Sequence, residues 1–187
     1  MALTPAEFQN GVEALHGLLV PFDQGLIVDG RVYLNQGACA AFAAVWIRNK
    51  KELAAGRAAP DAAACMEEVS WMEEQKHEAG QVYTEFLVAN GLRRDGAITW
   101  PTTNINWQQL RFFLLAQQAF YFVGVLEPGA AGHAIAFDTS LGRFKLFDPN
   151  YGTASFPDSP SLIRFFGAYW PRAYPTLVGH GLIERWR

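Results

Sequence analysis

The spacing of the apolar residues changes once along this chain, and that change limits what it can fold into. Up to about residue 118 the apolar residues recur mostly at helical spacing. From residue 119 onward, short runs rich in aromatic and β-branched residues follow one another between Gly and Pro turns. Thr4-Pro5-Ala6-Glu7 reads as a helix start: Thr4 caps, Pro5 suits the first turn and Glu7 closes a capping box. Phe8, Val12, Leu15, Leu18 and Leu19 continue that helix, and Pro21 ends it. Val28 to Leu34 reads as a short extended segment with a turn at Asp29-Gly30. Further helices are expected at Cys39 to Lys51, from Pro60 to near Gly80, over Val82 to Asn90 with Gly91 as C-terminal cap, and over Trp107 to Gln118. Residues 95–104 read as a loop. The runs at 119–126, 133–139 and 143–148 predict consecutive antiparallel strands, with a helix at Ser161 to Trp170 and a last strand at 176–186. The expectation is one α+β domain over residues 1–187, with a helical part (about 1–118) packed on an antiparallel sheet (about 119–187).

Composition narrows the function classes. Half of the residues are hydrophobic and 18% are charged, enough apolar mass for a real core. The net charge of −3 shows no basic excess, which disfavours nucleic acid as a partner. No apolar stretch reaches the roughly 18 residues of a membrane span, and no signal peptide is visible at the N-terminus. Two cysteines, Cys39 and Cys65, make no disulfide framework and fit a reducing compartment. No CxxC or HExxH pattern occurs, and the four histidines are scattered, so neither a metal site nor a cofactor is expected.

Cys39 stands where a Gly-containing loop gives way to an Ala-rich helix. Unpaired backbone N–H groups and the helix dipole at such a position favour a thiolate, the competent nucleophile. Gly37 lets a substrate backbone approach closely, and Asn35 and Gln36 are amide donors suited to help the Cys39 backbone N–H hold an oxyanion. A nucleophilic Cys needs a base and the base needs an orienting acceptor. His133 heads one predicted strand and Asp148 ends the next. A hairpin centred near residue 141 sets His133 opposite about residue 148 or 149, at one end of the sheet. Asp138 would alternate onto the other face and is a poor partner. Trp100, beside Pro101, is a candidate cleft wall. Trp46 and Trp71 are assigned to the core, Cys65 to a structural position, His16 to a surface or partly buried position, His77 to a solvated helix face, and Asn150 to fixing the turn after Asp148.

The segments QGACAAFAAVW, GHAIAF and FDPNYG together resemble the three catalytic motifs of the YopT-type cysteine proteases, a bacterial effector family of the papain-like clan. The order Cys, His, Asp matches. The resemblance implies a papain-like fold with Cys39 as nucleophile, His133 as general base and acid, and Asp148 as orienting acid. It places the oxyanion amide a few residues before the Cys, where Asn35 and Gln36 compete. It further implies a secreted effector or toxin, delivered by a specialised bacterial secretion system without a signal peptide, that cleaves a protein in the target-cell cytoplasm. A cognate inhibitor (an immunity protein) or a secretion chaperone would be its other partner. The same triad serves glutamine deamidation, transglutamination and peptidoglycan amide hydrolysis. A catalytically silent binding module is the non-enzymatic alternative, and it predicts loss of a triad member.

Overall fold

A computed structural model describes residues 3–28, 38–79, 82–101, 111, 113–114, 118–126, 132–175 and 180–187. Among these, six α-helices surround a seven-stranded antiparallel sheet. In chain order the elements are α1 (Pro5–Glu13), β1 (Leu18–Pro21), α2 (Gln24–Val28), α3 (Cys39–Ala54), α4 (Met66–Ala79), α5 (Val82–Ala89), β2 (Arg94–Pro101), β3 (Phe120–Leu126), β4 (His133–Asp138), β5 (Lys145–Asp148), β6 (Gly152–Ser155), α6 (Ser159–Ala173) and β7 (His180–Trp186). The strands lie in the order β1-β6-β5-β4-β3-β7-β2. The predicted helix of 107–118 falls largely outside the described residues.

The capping box of α1 is present: Thr4 Oγ1 accepts from the Glu7 N–H at 3.2 Å, and Glu7 Oε2 accepts from the Thr4 N–H at 2.9 Å. The helix stops earlier than its apolar spacing predicted. His16 takes a left-handed φ of 56°, and the Gly17 N–H returns to the Val12 carbonyl at 3.0 Å. A Cβ on Gly17 would sit 2.9 Å from the Ser155 carbonyl, so the chain turns tightly there. Leu18 and Leu19 therefore belong to β1, which pairs with β6, and not to the helix. Val28 likewise ends α2 instead of opening an extended segment.

The stretch from 95, read as a loop, is mostly strand. Its Gly and Pro mislead because β2 lies at the sheet edge. The Gly falls at a register shift between Arg94 and Gly96, and Pro101 is the last residue, where a missing N–H disturbs little. The sheet thus draws β1 and β2 from before residue 118. β3, β4, β5, β7 and α6 lie close to their expected places, whereas β6, which pairs with β5 and β1, has no counterpart among the expected strands.

Each face of the sheet carries its own core. Ala134, Ala136, Phe147, Phe120, Phe122 and Trp186 face α3, α4 and α5. Ile135, Phe137, Tyr121, Val123, Leu146 and Ala154 face α1 and α6. This is the alternation of strand side chains, small on one face of β4 and large on the other. The small residues admit α3, whose stretch from Ala41 to Ile47 is buried throughout at 0–4% exposure. A helix covered all round by protein explains its Ala-rich composition. Trp46 stacks on Phe147 with centroids 5.5 Å apart, and its indole N–H donates to Thr153 Oγ1 at 3.1 Å. Trp71, by contrast, is about half exposed and not a core residue.

Candidate active site

Three secondary-structure ends meet at one end of the central strands of the sheet. Cys39 is the first residue of α3, His133 the first of β4 and Asp148 the last of β5. The ladder pairs Ala136 with Phe147 and Asp138 with Lys145. Carrying that register on by one step sets Asp148 beside Ile135, two residues from His133 and on the same face. The two side chains therefore meet diagonally, slightly offset from the expected opposition. His133 Nε2 lies 3.1 Å from Asp148 Oδ1, with both residues buried. The remaining ring nitrogen, Nδ1, is left for Cys39, which sits within hydrogen-bonding reach of the imidazole. Cys39 is half-buried, whereas Cys65 is buried and accepts hydrogen bonds from Arg48 and Asn49.

Asp148 is fully buried and its carboxylate is saturated. Oδ1 also accepts from the Asn150 N–H at 2.8 Å. Oδ2 accepts from the Tyr169 and Tyr174 hydroxyls, each at 2.6 Å. A buried charge is tolerated only when it is paired and hydrogen-bonded in this way. Burial pushes the carboxyl up, but the His133 charge and bond, with the two tyrosine hydroxyls, hold it below its usual value. For His133, burial alone lowers the imidazole. The Asp148 charge and the Cys39 sulfur more than reverse that and raise it to about 10. Burial and the neighbouring Asp148 charge hold Tyr169 and Tyr174 well above the ordinary tyrosine value, which keeps them as donors.

Tyr174 also stacks on His133, with ring centroids 4.2 Å apart, and Trp170 lies behind at 6.4 Å. Within electrostatic reach of Cys39, the Tyr83 hydroxyl donates to the buried Glu73 at 2.9 Å. Burial, the Glu73 charge and Cys39 together raise Tyr83 far above its usual value.

The structure brings together Cys39, His133 and Asp148. Asn35, Gln36 and Gly37 lie outside the described residues. Trp100 lies in β2, and the cleft contact expected of its side chain lies outside what is described. The Asp-Pro-Asn-Tyr segment forms the expected turn, the Tyr151 N–H donating to the Asp148 carbonyl at 3.0 Å. Asp138 faces away from His133, as expected, and accepts from the Ser140 N–H and hydroxyl. Sequence reasoning missed Tyr169, Tyr174 and Gln24. The tyrosines come from α6 and its C-terminal end, and no local motif ties them to Asp148. Among the described residues no group of three His, Cys, Asp or Glu could hold a metal ion, and no helix is long and apolar enough to cross a membrane.

Residues 116–180 match the family model of Peptidase_C58, described as Yersinia/Haemophilus virulence surface antigen. No curated protein matches the chain by sequence. Solved structures share its fold. The Pseudomonas avirulence protein AvrPphB aligns with a TM-score of 0.64 at 15% identity, over 94% of this chain and 99% of that one. PatoxP, a cysteine protease-like domain of the Photorhabdus asymbiotica toxin PaTox, aligns with a TM-score of 0.59 at 12% identity, over 97% of this chain and 57% of that one. The fold is papain-like, and the family match at residues 116–180 takes in the His133 and Asp148 motifs of the YopT-type resemblance but not the Cys39 motif.

Proposed function

We propose that this protein is a cysteine protease that cuts a target-cell protein as a delivered bacterial effector, with Cys39, His133 and Asp148 as its triad. The observation that carries the reading is the buried His133–Asp148 pair at 3.1 Å, with Cys39 on the other side of the imidazole at the start of α3. The membership of YopT-type proteases suggested by residues 116–180 supports the choice of peptide bonds as substrate.

In this reading Cys39 Sγ attacks the scissile carbonyl carbon and forms a C–S bond, and the carbonyl oxygen takes up the electron pair. The Cys39 backbone N–H, with Asn35 or Gln36, stabilises that oxyanion. Collapse breaks the C–N bond, and the His133 imidazolium gives its Nδ1 proton to the leaving amine. Water then attacks the thioester, His133 takes its proton, and the carboxylic acid leaves with Cys39 regenerated. Asp148 holds the imidazole in the tautomer and orientation both steps need.

The test compares wild type and Cys39→Ser on a proteome lysate by N-terminal profiling. New N-termini that appear only with the wild type support the reading. Ammonia release from Gln side chains, without new N-termini, would move the assignment to deamidation by the same triad.

A further inference from the structure

We infer that Gln24 is a positioning residue, fixing the start of the Cys39 helix to the Asp148–His133 pair through a one-way chain of hydrogen bonds. The inference rests on the triad reading above and adds residues that the three motifs do not contain.

Gln24 is the first residue of α2 and is buried, an uncommon place for a glutamine. Its backbone N–H donates to the Pro149 carbonyl at 2.8 Å. Its side chain bridges two segments far apart in sequence. Oε1 accepts from the Ala38 N–H at 3.0 Å, and Nε2 donates to Asn150 Oδ1 at 2.6 Å. Ala38 is the N-cap of α3 and supplies no side-chain cap of its own. Gln24 therefore meets, from outside, the backbone donor immediately before Cys39.

The Ala38 amide fixes the direction of everything beyond it. A backbone N–H only donates, so Gln24 must present Oε1 to it and its NH₂ to Asn150. Asn150 must then present Oδ1 to Gln24, which leaves Nδ2 to donate to the Tyr174 oxygen at 3.2 Å. The Tyr174 hydroxyl proton is thereby free for Asp148 Oδ2. Every donor in the chain aims toward the carboxylate, and such chains polarise in one sense. Ala38, Gln24, Asn150, Tyr174, Asp148 and His133 form one connected path. It joins the two halves of the site that the His133–Cys39 contact must align.

The test uses the full chain and does not depend on finding the substrate. Gln24→Met keeps the volume but neither donates nor accepts. Two readouts are followed: the rate at which iodoacetamide labels Cys39, with Cys65 as internal control, and the titration midpoint of His133 by NMR. In Gln24→Met the Cys39 labelling rate falls on the order of tenfold, the scale of one lost buried hydrogen bond. The His133 midpoint drops toward that of Cys39→Ser, because the sulfur no longer contributes. Combining Gln24→Met with Tyr174→Phe costs less than the two effects multiplied, since both break one path. Should Gln24→Met fail to fold, Gln24→Glu breaks the same link: it still accepts from Ala38 but cannot donate to Asn150. Wild-type labelling and an unchanged His133 midpoint in these variants would overturn the inference and leave the triad reading standing. A wild-type Cys39 that labels no faster than in His133→Ala defeats the triad reading instead, and the Gln24 inference, which rests on it, falls with it.

Discussion

The ring of Tyr174 lies against that of His133, centroids 4.2 Å apart and planes inclined by 29°, while its hydroxyl donates to the Asp148 carboxylate that His133 also meets. One residue therefore covers the His133–Asp148 bond and helps to satisfy it. Tyr174→Phe keeps the cover and removes the donor. With Tyr169 and the Asn150 N–H still in place, the expected loss is about 1–2 kcal/mol of stability by urea denaturation. Tyr174→Ala also uncovers the pair, so the His133 imidazole N–H exchanges faster with water than in Tyr174→Phe. Equal exchange in the two variants would remove the covering role.

Asp148→Asn tests what holds the proton on His133. Burial alone lowers the imidazole, and Asp148 is the first of the groups that raise it. Without that charge the His133 midpoint falls by several units from about 10. NMR titration of the imidazole checks this. A midpoint still near 10 in the variant would mean that Asp148 does not govern it.

The pair also sets a window of pH stability. His133 is raised in the folded protein from 6.5 to about 10, so its contribution is fully present below 6.5 and is lost as pH rises through about 10. Asp148 is lowered from 3.8, so its contribution is present above that value and is lost as pH falls through its depressed folded value. Denaturation midpoints measured from pH 3 to 11 should decline at both ends, and His133→Ala should flatten the alkaline decline.

Gly152 begins β6, opposite Asp148 on one side and Pro21 on the other. Its φ is 124°, and a Cβ there would meet the Val20 carbonyl oxygen at 2.2 Å and the Phe22 N at 2.8 Å. Both are backbone atoms, which cannot swing aside. Gly152→Ala is expected to cost about 2–4 kcal/mol. It should also slow Cys39 labelling, because the turn carrying Asp148 and Asn150 would shift. Urea denaturation and labelling of the same sample check both.

The three side chains that meet at the candidate site were legible in the sequence because each ends a strongly patterned element. Cys39 opens an Ala-rich helix, and one hairpin joins His133 to Asp148. The register was offset only because the turn at 139–144 holds a short 3-10 segment, which a simple count across the turn does not foresee. The errors of fold lie where tertiary pairing overrides local spacing. Leu18 and Leu19 fit a helix, yet the left-handed turn at His16 hands them to β6. The Gly and Pro of β2 read as loop signals until an edge position makes them harmless. Gln24, Tyr169 and Tyr174 were not legible, because their roles rest on contacts across 14 to 126 residues of chain.

The most direct test of the account labels native wild type and His133→Ala with iodoacetamide at pH 6 and pH 8, read by mass spectrometry at both cysteines. The account predicts rapid labelling of Cys39 even at pH 6, slow labelling of Cys65, whose thiol burial pushes up, and loss of the Cys39 advantage in His133→Ala. A Cys39 as inert as Cys65 in the native protein, or one indifferent to the loss of His133, would contradict it.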